Sequence, residues 1–248
     1  MALVGGLAFF LNLFPGTILQ LAHARWGLVL TQALFIAGPS LMARRWFYLD
    51  RRGVLPLRRP GAWALVGTAV GTVALNHLLT LAGAWQERIA PTPGPIRHLF
   101  ENLFVYRGPG DYALLLVAFA VIPAVCEEIL FRGFLQAGFL QLFESAPKGI
   151  VVTALVFAVF HLDPWRFLGV LLLGIFLGFV AHRTGSLIPA MVAHALNNLL
   201  SILQVREAFD PSLRPGSLWS VAAGLVVLGL SVRMLLRAGA EETAGRVL

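Results

Sequence analysis

Apolar runs of membrane-spanning length constrain this chain more than any other feature. A bilayer core about 30 Å thick takes roughly 20 apolar residues as a helix. Such runs lie near Ala2–Leu21, Trp26–Met42, Ala62–Ala84, Asp111–Phe143, Gly149–Leu162, Phe167–Ala181, Leu187–Val205 and Ser217–Leu236. The expectation is an all-α, polytopic transmembrane helical bundle of about eight spans, with residues 1–248 forming a single integral membrane domain. Composition agrees: of 248 residues, 58% are hydrophobic and only 12% charged, against about 25% charged in a soluble domain. Too much apolar surface is present for one aqueous core, so the solvent is the bilayer.

The spans are not alike. The first has neither a basic start nor a small-residue cleavage site, so it is not read as a removable signal peptide; Pro15 is placed to kink it. The fifth and sixth are short. The fourth is too long for one crossing, and its tail after Gly133 is expected to run into the interface as an amphipathic extension.

A net charge of +7, carried almost wholly by arginine, would suggest nucleic acid in a soluble protein. Here the arginines fall between apolar runs, which points to topology and to no nucleic-acid partner. Arg44, Arg45, Arg51, Arg52, Arg58 and Arg59 share one loop. The positive-inside rule sets that loop, both termini, Lys148, Arg183, Arg237 and Arg246 in the cytoplasm. Arg25, Arg88, Arg97, Arg107, Arg166, Arg206 and Arg214 then fall outside. Eighteen arginines and one lysine suggest a GC-rich genome and a prokaryotic cytoplasmic membrane. The one cysteine, Cys126, rules out an internal disulfide and reads as a packing residue.

Against this background "PAVCEEILFRG" stands out. Each charge at a bilayer centre costs about 2.5–3.5 kcal/mol on insertion scales. Glu128 and Arg132 are four apart, in the favourable order for an ion pair on one helix face. That explains two charges and leaves Glu127, about 100° away around the helix, without a structural reason. An intramembrane acid without one is read as functional. His161 ends the fifth span, and His194 and Asn198 share a face of the seventh. Counted from the expected cytoplasmic ends at 1.5 Å per residue, Glu127 lies roughly 24 Å deep, His161 roughly 18 Å, and His194 and Asn198 roughly 12 and 18 Å. The groups can meet at mid-depth.

A carboxylate can take a proton from water and make it a nucleophile for a peptide carbonyl. A histidine can relay that proton, and an amide or a second histidine can bind the developing oxyanion. Glutamates and histidines can instead hold a divalent metal such as zinc that activates the same water. The residues leave both chemistries open.

Three motifs now combine: "EEILFR" fits EExxxR, "FAVFH" fits FxxxH, and "HALNN" from His194 to Asn198 fits HxxxN. Over residues 111–205 the chain resembles the CAAX-protease and bacteriocin-processing (CPBP) family of intramembrane proteases, which includes the Rce1-like endopeptidases. The resemblance implies a catalytic core over 111–205. Within it Glu127 activates water with help from His161, His194 and Asn198 form the oxyanion site, and Glu128 and Arg132 hold the first motif in shape. It implies a peptide or protein substrate at the membrane and leaves metal dependence and oligomeric state open. Some relatives act as scaffolds, so a non-catalytic binding protein is the rival expectation. A coupled transporter ranks last because no internal repeat is visible.

Several other motifs are decoys. "GPGD" at Gly108–Asp111 lacks a second membrane-embedded aspartate, and Asp111 is expected to cap the fourth span. No HExxH and no GxSG occurs, and Ser186 reads as a helix cap. His23, His77, His98 and His182 show no partner pattern, although Asn76 and His77 could support the site.

Overall fold

The structure, a computed structural model, describes residues 1–47, 55–204 and 217–244, with side chains described as far as residue 238. Asp50, Arg51, Arg52, Val205, Arg206, Arg214 and Arg246 lie outside the described residues. The fold is all-helical. Its helices are α1 (Ala2–Ala22), α2 (Ala24–Trp46), α3 (Ala62–Ile89), α4 (Gly94–Leu103), α5 (Pro109–Phe143), α6 (Ala146–Phe160), α7 (Phe167–Thr184), α8 (Leu187–Gln204) and α9 (Leu218–Ala244). Among the described residues, seven are long and apolar enough to cross a membrane. The eighth expected span, α6, has 15 residues, or about 22 Å of helix.

Loop contacts show which ends share a face. Leu187 N–H donates to the Pro56 carbonyl, Ser186 Oγ to the Arg58 carbonyl, and Arg183 to the Leu236 carbonyl. These bonds gather the arginine loop, the α7–α8 turn and the end of α9. At the opposite face Arg25 bonds the carbonyls of Val105 and Asp111 and pairs with the Asp111 carboxylate, and Gln86 bonds the Trp165 carbonyl. Helix α6 starts at the first face and ends beside Trp165, so it traverses the bundle despite its length. The chain is an integral membrane protein whose described residues include seven long apolar helices and the shorter α6.

Wide π turns interrupt three helices: Asn12–Gly16 in α1, Gln32–Ala37 in α2, and both Val117–Val121 and Ile129–Gln136 in α5. Pro15 sits inside the first, and Pro123 follows the third. A proline removes a backbone donor and crowds the preceding turn, which a widened turn accommodates. The tail of α5 corrects the expectation of an interfacial extension. Phe134, Leu135 and Gln136 are buried, and Gln136 Nε2 donates to the Gly178 carbonyl of α7. The helix therefore stays in the bundle as far as Gly138, and Gln141, Leu142 and Phe143 at its end are exposed.

Two apolar clusters dominate the core of the described residues, beside a smaller one of Leu115, Ala120 and Ile202. One joins Ala8, Ile36, Cys126, Leu130, Phe131 and Phe157 from α1, α2, α5 and α6. The other joins Leu75, Phe176, Leu177, Val180, Ala190 and Leu235 from α3, α7, α8 and α9. Ile129 packs against both, so the acidic motif lies at their seam. Large exposed side chains such as Leu3, Ile18, Trp63 and Trp219 suit a surface that faces lipid. Helices α1 and α2 approach closely at Gly27, where any Cβ would run into the Leu19 carbonyl.

Candidate active site

Helix α5 presents its acidic pair where the α-helix gives way to the wide turn beginning at Ile129. Such a turn re-aims side chains that a regular helix would hold in register, and π turns recur at functional sites for that reason. Glu128 is fully buried. Its Oε1 accepts from Arg132 Nη1 at 2.7 Å and from His194 Nδ1 at 2.8 Å. Arg132 also donates through Nη2 to the Gly174 carbonyl at 3.1 Å, and its guanidinium lies 4.4 Å from the centre of the Phe157 ring. A cation spread over an aromatic face and tied to a carboxylate is tolerated at depth, where a lone charge is not.

Glu127 is held from another side. Its Oε1 accepts from Gln32 Nε2 of α2 at 2.8 Å, and its Oε2 lies 3.8 Å from His194 Nε2. One imidazole thus faces both carboxylates, one from each ring nitrogen. The Nδ1 beside Glu128 must carry hydrogen to bond a carboxylate, so in the neutral ring Nε2 is the bare nitrogen, and it is aimed at Glu127. Four atoms here are buried without a hydrogen-bond partner: Glu127 Oε2, Glu128 Oε2, Gln32 Oε1 and Arg132 Nε. Unpartnered buried polar groups are costly and mark a place where something else binds.

Of the six expected residues, Glu127, Glu128, Arg132 and His194 come together. His161 and Asn198 do not join them by a hydrogen bond. His161 lies at the end of α6, where its Nδ1 donates to the Phe157 carbonyl at 2.9 Å, which leaves Nε2 as its acceptor. Phe157 stands between the two imidazoles, with ring centres 4.7 Å from His161 and 5.7 Å from His194. Asn198 is half-buried, one turn beyond His194.

Its neighbour Asn197 is engaged instead: its Oδ1 accepts from Asn76 Nδ2 at 3.2 Å. His77 turns away to Ser220 on α9. Asp111 does not cap from the end of α5; it sits in the first turn and accepts from Arg107 N–H. Ser186 accepts from Ile188 N–H, as a cap does. Cys126 packs in the apolar cluster. Sequence reading missed Gln32 and Asn197. The available signal for Gln32 was a lone amide in an otherwise apolar run, "TQALFIAG". As for metals, no three His, Cys, Asp or Glu side chains are grouped as a metal ion requires, among the described residues.

Residues 109–200 match the family model of the type II CAAX prenyl endopeptidase Rce1-like proteins. This chain carries an Rce1-like domain. The match begins at the first residue of α5 and ends within α8, so it contains the acidic motif, α6 and His194. Over that stretch the chain is similar to the type II CAAX prenyl endopeptidases that the family model describes. Comparison with curated proteins and with solved structures finds no match. Gln32 and Asn76 lie outside the Rce1-like domain but bond residues at or next to its motifs.

Proposed function

We propose that this protein is an endopeptidase that hydrolyses a peptide bond of a membrane-associated or lipid-flanked substrate, with Glu127 as the general base. One observation carries the reading. Glu127 has one oxygen held by Gln32 and the other buried, unpartnered and 3.8 Å from the bare nitrogen of His194. A water about 2.8 Å from both atoms fits at the apex of that triangle.

Glu127 takes a proton from that water as the attack proceeds, and the negative charge passes to the substrate's carbonyl oxygen, where hydrogen-bond donors must hold it. The water oxygen bonds to the substrate carbonyl carbon, and the carbonyl electron pair moves to its oxygen. The C–N bond then breaks, and the amine leaves with the proton held between Glu127 and His194. Glu128 and Arg132 fix the ring of His194 through Nδ1, a positioning role. Nδ1 being committed to Glu128, His194 suits proton relay in this arrangement. Asn198 has its side-chain amide uncommitted for the oxyanion, and His161 offers its bare Nε2 from the end of α6.

The test uses the purified protein in proteoliposomes with peptides anchored by a C-terminal lipid. Glu127→Gln keeps the shape and the helix but lacks the base. General-base removal lowers the rate by about 10²–10⁴-fold. A variant cleaving at the wild-type rate would overturn the reading and leave the scaffold role, which keeps its cellular phenotype in Glu127→Gln.

A further inference from the structure

Gln32 has two functional ends, and only one is engaged. Its Nε2 donates to Glu127, while its Oε1 is buried and lacks a partner. The direction is forced by chemistry. An ionised carboxylate only accepts hydrogen bonds, so the NH2 must face it and the carbonyl must point the other way. The side chain belongs to a residue only 7% exposed, so bulk water does not satisfy that carbonyl. An acceptor held this rigidly, one hydrogen bond from the catalytic base, calls for a donor brought by the ligand.

A peptide substrate brings one. When its carbonyl carbon lies over the water between Glu127 and His194, the adjacent amide N–H is the nearest donor on the substrate. Accepting from it also raises electron density on nitrogen, which helps that nitrogen take up its proton as the C–N bond breaks. We propose that Gln32 is a substrate-contacting residue, whose carbonyl accepts from the N–H of the scissile bond while its NH2 holds Glu127. The proposal rests on Glu127 as base and narrows the substrate class. Bonds whose leaving nitrogen lacks hydrogen, as before proline or an N-methyl residue, are excluded.

The experiment compares a lipid-anchored peptide with its ester analogue, in which oxygen replaces the scissile N–H. Both are assayed with the wild type, Gln32→Met, Gln32→Glu and Glu127→Gln in the same vesicles. Gln32→Met removes donor and acceptor together and is expected to lower kcat/KM for the amide at least about tenfold more than for the ester. Gln32→Glu, when ionised, keeps the acceptor and loses the donor to Glu127. It is expected to slow both substrates and preserve their ratio. Equal losses on both substrates in Gln32→Met would show that Gln32 acts on Glu127 alone and overturn the contact. If that variant does not fold, the wild type decides: cleavage of a peptide N-methylated at the scissile nitrogen as fast as the unmethylated one overturns the contact, and loss of cleavage at that bond supports it. Glu127→Gln keeps the two ideas apart: it should lower cleavage of both substrates by about 10²–10⁴-fold, and wild-type rates there refute the base without reference to Gln32.

Discussion

Two acidic sites, one near the membrane surface and one at mid-depth, treat their oxygens in opposite ways. Glu87, near the end of α3, has both oxygens occupied: Thr92 donates through its backbone N–H and its hydroxyl, and Arg97 donates at 2.5 Å. Glu127 and Glu128 lie deeper, yet each leaves one oxygen without a partner. Stability alone would give the reverse, because an unmade bond costs more where water cannot replace it. At the surface site both carboxylate oxygens are occupied, and the site serves to hold a loop. The deep site is left incomplete, and in the proposed mechanism a water and a peptide fill the places at Glu127 and Gln32.

The contrast can be broken most sharply by parallel substitution. Glu127→Gln is expected to lower cleavage by about 10²–10⁴-fold with the thermal unfolding midpoint nearly unchanged. Glu87→Gln should do the converse, costing about 1–3 kcal/mol of stability while proteolysis survives. Equal effects on activity would erase the distinction. Next in size is Arg132→Leu, which strands Glu128 and should cost about 3–5 kcal/mol, read as lost folded yield in detergent. Adding Glu128→Leu should restore folding but not cleavage, since His194 then loses its anchor.

Gly27→Ala tests packing without charge. The added methyl meets backbone of α1, and the overpacking should cost about 1–3 kcal/mol, measured as a lower melting temperature. Smallest is Arg25→Gln at the Asp111 pair. Such a pair near the interface contributes roughly 0–1 kcal/mol, and the difference should fade in high salt.

The bundle was largely legible from hydropathy because the bilayer demands continuous apolar helices. The acidic motif was legible because charges at depth need a reason, and the Glu128–Arg132 pair followed from helical spacing. Gln32 was not. It begins a widened turn, and a π turn breaks the 3.6-residue periodicity from which a facing partner would be judged. The Asn76–Asn197 contact was not legible for a related reason: helical spacing puts residues on faces but does not say which neighbour each face meets, and α3 meets Asn197. The tail of α5 was misread because length alone suggested an interfacial end, whereas Gln136 finds a carbonyl on α7.

Helix α6 has a consequence for the surrounding lipid. A segment of about 22 Å in hydrocarbon of about 30 Å is mismatched, and a bilayer meets such a segment by thinning or by admitting headgroups beside it. A dimple at the helix that His161 follows would shorten the path of a peptide tethered in the leaflet to the centre of the protein. Under the proposed function acyl-chain length would then control turnover, through the membrane and not through any side chain.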